Sequence, residues 1–91
     1  MYLSHPVRRM REDPVEGETV RLVVTAVDED GADALAADLA GLGEDVERLE
    51  YGAVAVTVAQ ENIESVCELD GVESIETEDA VGIGGDAGED V

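Results

Sequence analysis

Across residues 44–79 the apolar positions keep a period of two, change to a spacing of three and four, and return to two. Few architectures satisfy that order; it predicts strand, turn, strand, helix, strand. Residues 53–58 (AVAVTV) are its clearest part. Val54, Val56 and Val58 fall on one side, and Ala53, Ala55 and Thr57 on the other. Before them, residues 46–51 form a charged strand suited to a sheet edge, where Glu47, Arg48 and Glu50 oppose edge-to-edge aggregation. Val46 and Leu49 are three apart, so strict alternation fails there; a bulge is one way to reconcile them, and the sequence leaves the register open. Tyr51-Gly52 makes the turn or lies next to it. After residue 58, residues 60–69 form a helix that buries Ile63, Val66, Cys67 and Leu69. Asp70-Gly71 ends it, with Gly71 suited to a left-handed cap, and residues 72–77 are the last strand.

The first half supplies one more strand and one more helix. In residues 19–27 (TVRLVVTAV) both faces are largely apolar, as in a central strand. Asp28-Glu29-Asp30-Gly31 turns the chain into a helix over residues 32–42, with Asp28 or Asp30 as the capping side chain. Leu35, Ala36, Leu39 and Leu42 form its buried stripe, and Gly43 stops it. The expected domain spans residues 18–79, with an irregular Arg-bearing arm at 1–17, punctuated by Pro6 and Pro14, and a Gly-rich acidic tail at 80–91. The fold class is α+β: a ferredoxin-like βαββαβ unit with a four-stranded antiparallel sheet and two helices on one face. Val23, Thr25, Val27, Ala53, Ala55 and Thr57 then line the face without helices. That face is the expected contact surface for a protein partner or for a second copy in a homodimer.

Charge bears on the milieu. The chain has 24 acidic and 5 basic residues for a net charge of −19, and all the basic residues are Arg. Periodic Val and Ala argue for a folded domain rather than a disordered acidic tail. The profile resembles cytosolic proteins of salt-accumulating halophilic archaea, which implies high salt as the environment, where charge repulsion is screened over about 3 Å at 1 M. Phosphate neutralisation needs Lys and Arg, so nucleic acid is not expected as a partner. One Cys allows no internal disulfide, residues 1–17 hold no apolar core of a signal peptide, and no run approaches a membrane span. The expected location is the cytoplasm, away from membranes.

Catalytic groups are scarce. His5, in the arm, is the only His, so Ser65 and Ser74 have no His partner on the folded domain. Cys67 lies on a buried helix stripe and is expected to be a core thiol. Asp28, Glu29 and Asp30 lack the ligand spacing of a calcium loop. Gly82-Ile83-Gly84-Gly85 lacks the Lys and the following helix of a phosphate loop. No enzyme activity, metal or cofactor is expected.

Two family resemblances add to this. Tyr51-Gly52-Ala53 opening a strand, the helical run from Ile63 to Leu69, and Val72-Glu73-Ser74-Ile75-Glu76 with Asp79 just beyond resemble the propeptide domain of subtilisin-like proteases, which includes stand-alone protease inhibitors. The resemblance covers residues 34–81. It implies a non-catalytic inhibitor or folding chaperone whose open sheet face docks on surface helices of a protease. It also implies that the segment after the last strand, headed by Asp79, Ala80, Val81 and Gly82, enters the active site. In the first half, Asp28-Glu29-Asp30-Gly31 resembles the Asp-x-Pro-Gly turn of ACT regulatory domains, with Asp30 in place of the proline. That resemblance implies an alternative: a dimeric small-molecule sensor with Asp28, Asp30 and Gly31 at the ligand.

Overall fold

Along residues 2–78, which a computed structural model of the protein describes, the chain forms β1 (Tyr2–Leu3), α1 (His5–Glu12), β2 (Thr19–Ala26), α2 (Ala32–Ala40), β3 (Glu44–Arg48), β4 (Ala53–Ala59), α3 (Ile63–Cys67) and β5 (Val72–Thr77). The strands make one sheet in the order β1-β5-β2-β4-β3. β1 runs parallel to β5, and every other neighbouring pair is antiparallel. The chain is therefore α+β. The expected ferredoxin-like sheet of four antiparallel strands under two helices is corrected: among the described residues there are five strands, one pair is parallel, and three helices pack on the sheet.

The correction comes from residues 1–17, where an irregular arm was expected. Pro6 sits in the first turn of α1, where a missing N–H costs nothing. Asp13 precedes Pro14, and that position disfavours helical backbone, so the helix stops at Glu12. Arg9 and Arg11 lie in the last turn, where positive charge suits the helix dipole. Val7 is fully buried and Met10 packs on the core, so the helix is held by its apolar side.

One core lies between the helices and the sheet. It joins Val7 of α1, Ala32, Leu35 and Leu39 of α2, and Ile63, Val66 and Cys67 of α3 to Leu22, Val24, Val54, Val56, Val58 and Ile75 of the sheet. With no Phe or Trp in the chain, these aliphatic side chains supply the burial, at about 1.5–3 kcal/mol for each fully buried Val, Leu or Ile.

Element ends differ from expectation for local reasons. Neither Asp28 nor Asp30 caps α2; the N-cap is Gly31, and residues 29–31 form a 3-10 turn instead. α2 ends at Ala40, and Leu42 packs on the core from beyond it. Gly43 is not its stop. A Cβ there would sit on the Thr57 carbonyl and 2.6 Å from Val58 Cγ1, so the position needs glycine for close approach to β4. The helix expected over residues 60–69 begins as a 3-10 turn at Gln60–Asn62, pinned where Asn62 Nδ2 donates to Leu42 O at 3.2 Å. Gly71 follows with φ 77°.

The bulge in β3 falls between Glu44 and Glu47 rather than between Val46 and Leu49. Asp45 there has φ 55°. Tyr51 and Gly52 both have positive φ, 62° and 79°, at the centre of the turn between β3 and β4, where Ala53 N donates to Glu50 O at 3.3 Å. Glycine adopts that conformation without strain, and Tyr51 does not.

Candidate docking face of the sheet

All three helices contribute to one core cluster on one side of the sheet. The other side is built by the alternate residues of the same strands, and strand register sets them in rows. One row runs Glu47, Ala55, Val23, Glu76 across β3, β4, β2 and β5. The next runs Ala53, Thr25, Ser74, Tyr2 across β4, β2, β5 and β1. Arg21 pairs with Thr57 at the far end of the face.

The two rows differ in chemistry. In the first, two carboxylates flank two short apolar residues, and Val23 and Ala55 are buried although neither belongs to the helix-side core. Exposed apolar surface in this row is thus smaller than alternation alone suggests. The second row is uncharged. Ala53, Thr25 and Ser74 are half-buried, and Tyr2 stands at 55% exposure. Val27 lies past the end of β2, beyond a register shift between Thr25 and Ala26, and is 62% exposed.

Arg21 ties the far end together. Its Nη1 donates to Asp45 O at 3.0 Å and to Thr57 Oγ1 at 3.1 Å. Its Nη2 donates to Glu47 Oε1 and its Nε to Glu78 Oε2, each at 3.1 Å. One side chain from β2 therefore lies across β4, reaches the bulge of β3, and on its other side holds the residue that follows β5. The left-handed backbone of Asp45 belongs to the bulge whose carbonyl receives the guanidinium. Arg48 pairs with Asp33 and links β3 to α2. Arg8, Arg9 and Arg11 make no salt bridge among the described residues.

The structure brings Val23, Thr25, Ala53, Ala55 and Thr57 together on this face, and leaves Val27 at its margin. Asp28, Asp30 and Gly31 are exposed at the end of the sheet that carries the Tyr51-Gly52 turn, and Glu29 lies against Gly52. Asp79, Ala80, Val81 and Gly82 lie outside the described residues. Sequence reasoning missed Tyr2, Ser74, Glu47 and Glu76 as members of the face; alternation along β2 puts Arg21 on that side, though not among the expected contact residues. Arg21 had a signal, as the one charged side chain within an otherwise uncharged strand. The others become neighbours only through register.

His5 opens α1 at the surface. Cys67 is buried, and burial pushes its thiol above the usual range, against the pull of Arg11 and with the push of Glu64 and Glu68. It is therefore a poor nucleophile at neutral pH. Among the described residues no three His, Cys, Asp or Glu side chains converge on a metal position. No helix among them is long and apolar enough to cross a membrane.

One family model, described as a putative peptidase inhibitor domain, matches residues 2–78. That match spans every described element, including β1 and α1. No curated protein and no solved structure matches the chain.

Proposed function

The chain belongs to the putative peptidase inhibitor domain family, and from that premise we propose that it is a non-catalytic inhibitor of a subtilisin-like protease, docking through the helix-free face of its sheet. The family match carries this reading. The geometry supports it in three ways. Short side chains in the Ala53–Thr25–Ser74 row let another surface approach the strands closely. Tyr2 supplies a large amphipathic side chain at the margin, a residue type enriched at interfaces. Glu47 and Glu76 place carboxylates at the rim, and a carboxylate suits the N-terminus of a partner's helix.

The same family supports the first of the two sequence resemblances over the ACT-like alternative, and a face of this kind would also accept a second copy of the chain. We also take the acidic surface as suited to concentrated salt.

Thr25→Glu and Ala53→Glu test the docking face. Both positions are half-buried, so they carry less risk of unfolding than the buried Val23 and Ala55. Each should weaken inhibition of a subtilisin-type serine protease by about tenfold or more, since a carboxylate would be buried unpaired at the interface. The melting temperature should change little. Full inhibition by both variants would refute the face as the site. Loss of self-association with inhibition unchanged would assign the face to a second copy.

A further inference from the structure

The helix layer carries one patch that the docking face does not use. α1 sets Arg8, Arg9 and Arg11 against a single carboxylate, Glu12, whereas the rest of the chain sets two Arg against all the other acidic side chains. Those two, Arg21 and Arg48, are each paired with a carboxylate. The three on α1 are exposed and make no salt bridge among the described residues. Helix stability accounts for only part of this. The dipole favours Arg9 and Arg11 in the last turn, but Arg8 lies outside that turn. At helical spacing Arg8 could pair with Glu12, and Arg9 with Asp13, and neither pair forms. The patch also has relief. Arg8, Arg11 and Glu12 border a shallow depression that Glu64 of α3 completes. Beyond Glu12, Arg9 borders a second one together with Met10 and Val15. Val15 is 54% exposed, and its backbone is held where its N–H donates to Gln60 Oε1 at 2.9 Å. Cationic heads and a fixed apolar spot thus stand side by side.

We propose that the outer side of α1 binds a short acidic peptide segment of a partner protein, with carboxylates on Arg8, Arg9 and Arg11 and an apolar side chain against Val15 and Met10. Charge complementarity selects an anion, and the planar guanidinium fork suits a carboxylate. Two features select a peptide over a polynucleotide. A long polyanion would run past a surface of net charge −19, which repels it, and Val15 and Met10 offer nothing to a phosphate backbone. The same net charge disfavours a second copy of the chain. α1 packs on the helix side of the sheet, so this contact leaves the helix-free face open. It stands whether or not that face binds a protease.

The test is an NMR titration of the 15N-labelled full chain in 1 M potassium chloride, where charge repulsion is screened beyond about 3 Å. The probe is a capped peptide of sequence Gly-Glu-Leu-Asp-Glu-Leu-Gly. Three comparisons accompany it: the same peptide with Gln and Asn in place of its acids, the same peptide with Ser in place of Leu, and single-stranded oligothymidylate. The variants are Arg8→Gln, Arg9→Gln, Arg11→Gln, all three together, Arg8→Lys and Val15→Ser. All of these positions are exposed, and circular dichroism confirms that each variant is folded.

The acidic peptide should shift the Nε–H signals of Arg8, Arg9 and Arg11 and the amide of Val15, with β4 amides unmoved. The uncharged peptide should leave the arginine signals in place. Each single Gln variant should raise the dissociation constant about threefold, within the range of one exposed ion pair, and the triple variant should abolish binding. Arg8→Lys should keep part of the affinity, because it offers a point charge in place of a fork. Val15→Ser should weaken the Leu-bearing peptide and leave the Ser-bearing one unaffected. No shift at the three arginines with millimolar acidic peptide overturns the proposal, as does equal binding of the uncharged peptide. Tighter binding of oligothymidylate than of the peptide would assign the patch to nucleic acid, and arginine signals that move with protein concentration alone would assign it to a second copy. Either result overturns the peptide as occupant.

Discussion

Gly43 is the residue at which the backbone of one segment and the backbone of another come closest to excluding any side chain. A Cβ there meets the Thr57 carbonyl and both Val58 Cγ1 and Val56 Cγ2. Two of those atoms belong to side chains already locked in the core, and the third is main chain of β4, so nothing can give way cheaply. Gly43→Ala should destabilise the domain by about 1–3 kcal/mol, the usual cost of overpacking, seen as a lower denaturant midpoint. Gly31→Ala is the contrast, since its Cβ would meet only Asp28 Oδ1 at 4.0 Å. It should be neutral or slightly stabilising. Equal losses for both variants would mean that helix or turn preference, not close approach, sets the requirement at 43. The sequence suggests a glycine near the end of α2 but not this reason for it, because the neighbour that demands it lies fourteen positions away along the chain.

Among the elements, α1 depends most on a single anchor. Val7 is its one buried residue, while its three arginines point to no carboxylate within salt-bridge reach among the described residues. Val7→Ala removes two methyl groups and should cost about 2 kcal/mol with the void included. The expected signature is local: faster amide hydrogen exchange at Arg8, Arg9 and Met10, with β2 and β4 amides still protected. Exchange that rises equally in α1 and β4 would show instead that the helix and sheet open as one unit. This dependence also explains what could be read from the residues alone. β2, α2, β4 and β5 were legible because each repeats its period over several residues, as in Leu22, Val24 and Ala26 or Val54, Val56 and Val58. α1 gives only Val7 and Met10, and Pro6 and Pro14 look like punctuation from sequence even though they delimit a helix. The docking face was legible to the same depth. Alternation finds Val23, Thr25, Ala53, Ala55 and Thr57, whereas Glu47, Glu76 and Tyr2 join it only when neighbouring strands are set in register.

For the whole molecule, the dominant quantity is a net charge of −19 on 91 residues. Two effects of salt oppose each other. The pairs of Arg21 and Arg48 are solvent-exposed in part and contribute about 0–1 kcal/mol each, which salt would weaken. Mutual repulsion among the excess carboxylates acts over the whole surface and is relieved by the same salt. Repulsion involves many more groups, so the net effect should be stabilising. The melting temperature, followed by circular dichroism, should rise from dilute buffer to molar potassium chloride. A flat or falling trend would count against a salt-adapted surface. The parallel pairing of β1 with β5 has a consequence at this scale as well. Tyr2 and Leu3 find their partners at Ser74 and Ile75, close to the other end of the described chain. A ribosome adds about 5–20 residues per second, so β1 waits for seconds until β5 appears. Five-stranded closure is thereby an event of a chain already synthesised through β5, and an interrupted translation product would hold an unpaired first strand with no place in the sheet.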